Sequence, residues 1–351
     1  ISNKKERNIL LKKRIDILAL YFYNKINTSS YVFLKKKFQL SETDMKVLLK
    51  EYIHPEAEAL LRENATVVND VAEIGDVDAI ILRSLPVNRS LIEKAKNLKV
   101  IGKHGVGCNS IDLIAAKEHG IVVFNTPAAN TNAVAELIVG LIINCARNIA
   151  RADAECRRDK VEVIAPANMT GIELTGKTLG LIGFGNIAQR VGRILSEAFN
   201  VKKICYDPYV SQEITQEYGA AKCETVREVI SQADIVSVSV PLTKETANLI
   251  SGDLFNCFRR NSILINAARG GIVNEEDLYN ALLNKKIRAA ACDAFVEEPP
   301  SSKNKLLSLE NFCATPHLGA NTEEALYRMG MEVVEGVLDV LQGGVPKHLV
   351  V

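Results

Sequence analysis

The sequence predicts an α/β protein with two parallel-sheet domains, and three features support this fold class. Its 351 residues are 47% hydrophobic and 24% charged, which is enough chain for about two domains. From Met45 onward, short runs rich in β-branched residues alternate with longer amphipathic segments, as in parallel sheets covered by helices. The alternation occurs in two separate series, so we expect two sheets.

The first series begins at Met45, where residues 45–49 are predicted to form a strand. It continues with buried strands near 78–83, 98–102 and 121–125, and with helices near 88–97 and 110–119. The apolar stretch 135–146 contains Glu136 and is well short of the roughly 20 residues that span a bilayer, so it predicts a buried helix. The second series has strands near 178–182, 201–206, 234–240, 262–266 and 288–292.

Residues 1–44 differ from the rest of the chain. They are rich in Lys and Arg, balanced before Ser41 only by Glu6 and Asp16, and they show no β/α alternation. We interpret them as an N-terminal extension. One alternative is a basic presequence; the other is that Met45 is the true start and that residues 1–44 are not native.

Composition excludes several classes of function. The 43 basic and 42 acidic residues give a net charge of +1, which favours neither a nucleic-acid partner nor a membrane surface. The eight cysteines contain no CxxC pair, which argues against a disulfide framework and against a metal site. We therefore expect a reducing, cytoplasmic location and no metal. Cys108, in a Gly-rich loop, is the one cysteine to test for reactivity.

A glycine-rich turn predicts a dinucleotide site. Gly183-Phe184-Gly185-Asn186-Ile187-Ala188 directly follows the strand near 178–182 and opens a helix. The first glycine allows the tight turn, the second lets the backbone approach a pyrophosphate, and the small Ala188 lets helix and strand pack closely. The alternative is an ordinary strand-to-helix turn.

Asp207 strengthens the dinucleotide interpretation. It ends the next strand, where a carboxylate would accept hydrogen bonds from the adenosine ribose. Pro208-Tyr209 follow it instead of a basic residue, and a 2′-phosphate would meet the carboxylate as a like charge. The pattern favours NAD over NADP.

Three side chains at or beyond the ends of the late strands are candidates for chemistry: Arg269, Glu298 and His317. The ligand crevice of an open parallel sheet lies at the carboxyl ends of its strands, so the three could converge there. Each also has a structural alternative. An Arg in a Gly-rich turn caps carbonyls, a Glu before Pro is solvated, and a His after Pro fills a corner.

Six motifs in a fixed order carry a family resemblance. They are Gly183-Phe184-Gly185, Asp207-Pro208, Pro241-Leu242-Thr243 with Thr246, Asn266 with Arg269-Gly270-Gly271, Asp293 with Glu298-Pro299, and Thr315-Pro316-His317 with Gly319. From about residue 45 onward the chain resembles the D-isomer-specific 2-hydroxyacid dehydrogenases, in a form similar to phosphoglycerate dehydrogenase. It departs from the family pattern at Ala188, at Ala294 and in the N-terminal extension.

The resemblance implies roles for individual residues. Glu298 and His317 would be the acid/base pair and Arg269 would bind the substrate. Cofactor contacts would fall on Gly183, Gly185, Asn186, Ile187, Asp207, Pro241, Thr246, Ala267, Arg269, Asp293, His317 and Gly319, with Asp293 accepting from the nicotinamide carboxamide. Substrate contacts would fall on Arg83, Ser84, Val106, Gly107 and Arg269. For Lys103 and His104, substrate contact and a solvated loop remain alternatives.

The resemblance also implies the domain organisation. A Rossmann NAD-binding domain, residues 128–317, would be inserted in a flavodoxin-like substrate domain formed by residues 45–127 and 318–351. The helical segment 132–148 would lie at the hinge and at the twofold interface of a homodimer, and closure of the cleft would expel water. No regulatory domain is expected after Val351, and hence no serine feedback.

The predicted activity is NAD-dependent interconversion of a 2-oxo acid and a D-2-hydroxy acid. Hydride transfer to the oxo acid leaves negative charge on the former carbonyl oxygen, and His317 would protonate it. Candidate substrates are phosphohydroxypyruvate with 3-phosphoglycerate, or hydroxypyruvate. Alternatives are an NAD-sensing, corepressor-like binding protein and a phosphite-type dehydrogenase. A formate-type enzyme is disfavoured, because that class places Gln where Glu298 stands.

Overall fold

The computed structural model describes residues 45–351, so the hypotheses about residues 1–44 lie outside the described residues. The described chain forms two parallel sheets flanked by helices, which confirms the predicted fold class. The strands are β1 (Lys46–Leu49), β2 (Thr66–Val68), β3 (Ala79–Leu82), β4 (Val100–Lys103), β5 (Val122–Asn125), β6 (Thr178–Ile182), β7 (Lys202–Tyr206), β8 (Ala220–Lys222), β9 (Ile235–Val238), β10 (Ile263–Asn266), β11 (Ala289–Cys292) and β12 (Phe312–Ala314).

The α-helices have the following bounds: α1 (Pro55–Asn64), α2 (Arg89–Lys94), α3 (Leu113–Glu118), α4 (Thr131–Arg147), α5 (Ile149–Cys156), α6 (Asn186–Phe199), α7 (Gln212–Glu217), α8 (Val226–Gln232), α9 (Glu275–Leu283) and α10 (Glu323–Leu341). Short 3-10 helices cover Val71–Asp76, Ala167–Met169, Gly252–Asn256 and Lys305–Ser308. Among the described residues no single helix is long and apolar enough to cross a membrane. Helices α4 and α5 reach that length and composition only together, and they meet at a bend of 63°.

The first sheet has the strand order β2-β1-β3-β4-β5, which is the flavodoxin-like order. Helix α10, near the C-terminal end of the chain, packs on this sheet. A Cβ on Gly102 of β4 would lie 2.7 Å from Val333 Cγ2 of α10, so the helix approaches the strand where it lacks a side chain. Leu349 also forms a bridge with Phe124 of β5. Residues from both ends of the described chain therefore build this half of the molecule.

The second sheet has the order β12-β11-β10-β9-β6-β7-β8. The strand order reverses between β6 and β9, which is the switch point where ligands bind in such sheets. Helix α4 packs against α6 and against one face of this sheet, in a core that includes Ile138 and Ile142. The predicted buried helix at 135–146 therefore lies inside α4.

The edge strands β2, β8 and β12 were not predicted. Each has three residues, which is too short to show a period of two in the sequence. The strand predicted near 234–240 is shorter in the structure, because the chain leaves the ladder after Val238. The segment that follows it enters the candidate site.

Candidate active site

The glycine turn after β6 faces the switch point. Gly183 has φ +89°, and a Cβ there would collide with the carbonyl oxygen of Ser239, which follows β9. Gly185 is the N-cap of α6, and a Cβ on it would meet nothing within 4 Å. Ala188 is fully buried, so the helix packs closely on the sheet. The turn, Asn186 and Ile187 thus leave an open, positively polarised helix end at the site predicted for a pyrophosphate.

Asp207, after β7, braces this turn. Its Oδ2 accepts from the amide of Phe184 at 2.9 Å, and its Oδ1 accepts from the amide of Tyr209 at 2.9 Å. An ionised carboxylate has about four lone-pair positions, so two of them are left for other donors. Asp207 can therefore cap the turn and still accept hydrogen bonds from a ribose.

The segment after β9 lies on the same edge of the sheet. Thr246 Oγ1 donates to the carbonyl of Pro241 at 2.6 Å, which closes a compact turn. The hydroxyls of Ser237 and Ser239 are buried and have no hydrogen-bond partner among the described residues. A buried hydroxyl without a partner is costly, so Ser239, beside Gly183, fits a site that a polar ligand completes. Sequence reasoning missed both serines, because they stand inside an apolar run.

His317 and Glu298 form a pair. His317 Nδ1 lies 2.9 Å from Glu298 Oε2 and 3.1 Å from Oε1, and His317 has a left-handed φ of +57° in the loop after β12. Burial raises the pKa of Glu298, but hydrogen bonds from His317 and from the amide of Phe295, with the nearby charge of Arg269, outweigh burial and hold it below its usual range. The imidazole is 45% exposed, so it is open to solvent and to a substrate.

Asp293, after β11, fixes the turn that carries His317. Its Oδ1 accepts from Thr315 Oγ1 at 2.6 Å and from the amide of Leu318 at 2.7 Å, and its Oδ2 accepts from the amide of Gly319 at 2.9 Å. The carboxylate is almost fully buried. These donors stand on both sides of His317, so Asp293 stabilises its left-handed conformation. One lone-pair position remains for the predicted nicotinamide contact.

Arg269 extends from the loop after β10 to the loop after β4. Its Nη1 donates to the carbonyl of Ala268 at 2.7 Å, and a Cβ on Gly107 would collide with its guanidinium. Burial lowers the pKa of Arg269, and the Glu298 carboxylate partly offsets this. Ala267 precedes it at the same strand end. The structure therefore brings Arg269, Glu298 and His317 to one edge, together with the predicted substrate loop.

That loop is held from β5. Asn125 Nδ2 donates to the carbonyl of Val106 at 2.8 Å, and the amide of Gly105 donates to Thr126 Oγ1 at 2.9 Å. Just before the loop, at the end of β4, Lys103 Nζ donates to the carbonyl of Arg83. Burial, followed by the charge of Arg269, lowers the pKa of Lys103 to about 8. Lys103 is thus a buried cation beside the predicted substrate residue Arg83.

His104 and Cys108 differ from Lys103. Burial and the charges of Arg83 and Lys103 lower the pKa of His104 to about 4, so it is neutral near pH 7. Burial raises the pKa of the Cys108 thiol, and the opposing effects of Lys103 and Arg269 are smaller. Of Lys103, His104 and Cys108, only Lys103 adds positive charge beside the predicted substrate residues, and Cys108 is not an activated thiolate.

Comparisons with known proteins show which family the chain resembles. Residues 139–319 match the family model of the D-isomer specific 2-hydroxyacid dehydrogenase, NAD binding domain. A D-3-phosphoglycerate dehydrogenase of Methanocaldococcus jannaschii is 41% identical over 315 residues, covering 87% of this chain and 59% of the relative. A hydroxypyruvate reductase of Thermotoga maritima is 43% identical over 272 residues, covering 76% of this chain and 86% of the relative.

Among solved structures, a protein from Thermus thermophilus superposes with a TM-score of 0.81 at 30% identity, covering 88% of this chain and all of that one. The two parallel sheets, the glycine turn at the switch point of the second sheet and the matching family model together define an NAD-binding α/β protein. The chain belongs to the D-isomer-specific 2-hydroxyacid dehydrogenase family. Its cofactor is NAD. It spans about three-fifths of the length of the phosphoglycerate dehydrogenase.

Proposed function

We propose that this protein is an NAD-dependent oxidoreductase that interconverts a 2-oxo acid and a D-2-hydroxy acid. The observation that carries the proposal is the His317–Glu298 pair at 2.9 Å, on the same sheet edge as Arg269 and the glycine turn. An imidazole held by a carboxylate, next to a guanidinium, is suited to proton transfer at a carbonyl oxygen whose charge must be stabilised.

The residues act as follows. NAD, when bound, supplies or accepts the hydride. Glu298 holds His317 through Nδ1, so Nε2 is the nitrogen that gives a proton to the carbonyl oxygen during reduction and takes it back during oxidation. Arg269 binds the carboxylate of the substrate and the developing negative charge with its planar fork of donors. Backbone amides near Val106 and Gly107 hold the other side of that carboxylate.

The residues that would hold NAD are those of the switch point. The helix end at Gly183, Gly185, Asn186 and Ile187 would bind the pyrophosphate, and Asp207 would bind the adenosine ribose and disfavour NADP. Pro241, Thr246 and Ala267 would line the path to the nicotinamide, and Asp293, His317 and Gly319 would surround it. The orphaned hydroxyl of Ser239 supports a polar ligand at this place.

We also propose the domain limits 45–127 with 318–351, and 128–317, around a hinge that contains α4. The packing of α10 on the first sheet supports them. A homodimer is proposed because α5 has no buried residue and because Val163 and Ile164, beyond it, are exposed. Sedimentation equilibrium would test this, and a monomer would contradict it. A cytoplasmic location is proposed from the free cysteines of the described chain.

The substrate is proposed to be phosphohydroxypyruvate, paired with 3-phosphoglycerate, or hydroxypyruvate. The names of the two relatives and the cations Arg83 and Lys103 support an anionic 2-oxo acid. A panel of 2-oxo acids assayed with NADH, with pyruvate and branched-chain oxo acids as comparisons and phosphite tested with NAD, would decide. Chiral analysis should find the D product. NADH binding without turnover of any compound would instead favour the corepressor-like alternative.

A further inference from the structure

Glu51 binds the loop that contains two predicted substrate residues, and sequence reasoning did not single it out. It follows β1, and residues 83–85 follow β3, the neighbouring strand. Glu51 Oε2 accepts from the amides of Arg83 at 2.6 Å and Leu85 at 3.0 Å, and Oε1 accepts from the amide of Ser84 at 2.8 Å and from its hydroxyl. Three consecutive amides thus surround one carboxylate, as in an anion-binding nest.

The same loop is held from its other side. Lys103 Nζ donates to the carbonyl of Arg83, while Glu51 takes the Arg83 amide. Burial raises the pKa of Glu51, but the Ser84 hydroxyl and the three amides outweigh burial and lower it, so the carboxylate is ionised near pH 7. The backbone at Arg83 is therefore clamped between an internal anion and an internal cation.

The clamp leaves the nearby cations available for an anion. In the described part of the chain, the side chains of Arg83, Lys103 and Arg269 donate to backbone carbonyls, and none of them forms an ion pair with a carboxylate. Glu51 is the acidic group beside Lys103, and its oxygens are directed to amides. Its negative charge is thus compensated by the loop itself and does not neutralise the cleft.

We propose that Glu51 is a positioning residue that fixes Arg83 in the cleft and so sets the affinity for a substrate with a second anionic group, distal to its carboxylate. This rests on the proposed 2-oxo acid dehydrogenase function. The opposite result is expected if Glu51 only adds negative charge and does not hold the loop. In that case, removing its charge lowers the repulsion and tightens the binding of an anion. If Glu51 holds the loop, its removal loosens Arg83 and weakens the binding of the anion.

The test is steady-state kinetics of Glu51→Gln with two substrates that differ only in a phosphate, phosphohydroxypyruvate and hydroxypyruvate. The KM for phosphohydroxypyruvate should rise about 10-fold or more, the effect of losing a charge-assisted contact, while kcat and the KM for hydroxypyruvate stay within about threefold. Glu51→Asp, which keeps the charge, should shift the same KM in the same direction. A lower KM, or equal changes for both substrates, would overturn the proposal.

The matched control is Glu73→Gln, which makes the same charge change at an exposed position in the 3-10 helix Val71–Asp76. Glu73 makes no side-chain hydrogen bond or ion pair among the described residues, and both KM values should be unchanged. Hydrogen exchange of the amides of residues 83–85 separates this proposal from the proposed function, because it needs no turnover. Exchange should accelerate in Glu51→Gln and not in the control; unchanged protection refutes the clamp even if the enzyme is inactive on every oxo acid.

Discussion

Replacing Gly107 by Ala tests whether Arg269 must lie where the structure has it. A Cβ on Gly107 would collide with Nη2 of Arg269 and lie 2.9 Å from its Cζ. The atoms that it meets are the far end of a flexible side chain, so the clash can be relieved by moving the guanidinium. We therefore expect a small loss of stability and a large loss of activity.

The magnitude follows from what the guanidinium is proposed to do. A hydrogen bond to a charged group contributes about 1.5–3 kcal/mol, and each 1.36 kcal/mol is tenfold in rate. Displacing Arg269 from the substrate carboxylate should lower kcat/KM about 10-fold to 100-fold. Overpacking a rigid core costs about 1–3 kcal/mol of unfolding free energy. Because the Arg269 side chain can move, we expect a smaller loss here, with a decrease in Tm of about 3 °C or less.

The assay measures kcat/KM for the accepted oxo acid, the Kd for NADH and the Tm. NADH affinity should be nearly unchanged, since Gly107 is outside the glycine turn. The control is Gly75→Ala, where the nearest atom to the added Cβ is the Lys94 carbonyl oxygen at 3.8 Å. A folded Gly107→Ala protein with kcat/KM within about threefold of the original would refute the placement of Arg269 at the substrate.

Three further predictions concern single side chains. His317→Gln should lower kcat about 100-fold or more with NADH affinity nearly intact, because a general acid is lost, and unimpaired turnover would remove His317 from the mechanism. Asp207→Ala should lower both the Tm and the preference for NADH over NADPH, and an unchanged cofactor ratio would reject ribose binding. Lys103 has a pKa of about 8, so kcat/KM for an anionic oxo acid should fall as the pH rises through 8 and the positive charge is lost. Lys103→Arg should move that fall to higher pH, and the same fall in the variant would assign it to another group.

The fold and the candidate catalytic residues were predictable for one physical reason. Strands of four or five buried residues separated by helices leave a visible pattern, and chemistry in such sheets collects at strand ends. Arg269 and Glu298 follow β10 and β11, whose pattern is visible, so their convergence follows from topology. His317 follows β12 and was singled out by its position after Pro316 and before Gly319 instead. Strands of three residues, such as β12, leave no such pattern.

Glu51 could not have been predicted in the same way. Its partners lie 32 to 34 residues away along the chain, and they are backbone amides, which every non-proline residue has. A lone Glu after a short strand has no local signature of a clamp. Only the pairing of β1 with β3, which places the two strand ends side by side, brings the carboxylate to the loop.

Asp207 and Asp293 show why a strand-end carboxylate resists a single role. Each was predicted from the motifs as a cofactor contact, yet each already accepts two or three hydrogen bonds that shape the site. Asp207 holds the glycine turn at Phe184, and Asp293 holds the turn at His317. A carboxylate oxygen that accepts one backbone amide keeps a second lone pair, so the same group can set the geometry of a turn and present an acceptor to a ligand. Replacing Asp207 should therefore have two effects. It should relax the turn that receives the pyrophosphate, which weakens the binding of both cofactors. It should also remove the acceptor for the adenosine ribose and the like charge that opposes a 2′-phosphate, so NADH binding should weaken more than NADPH binding.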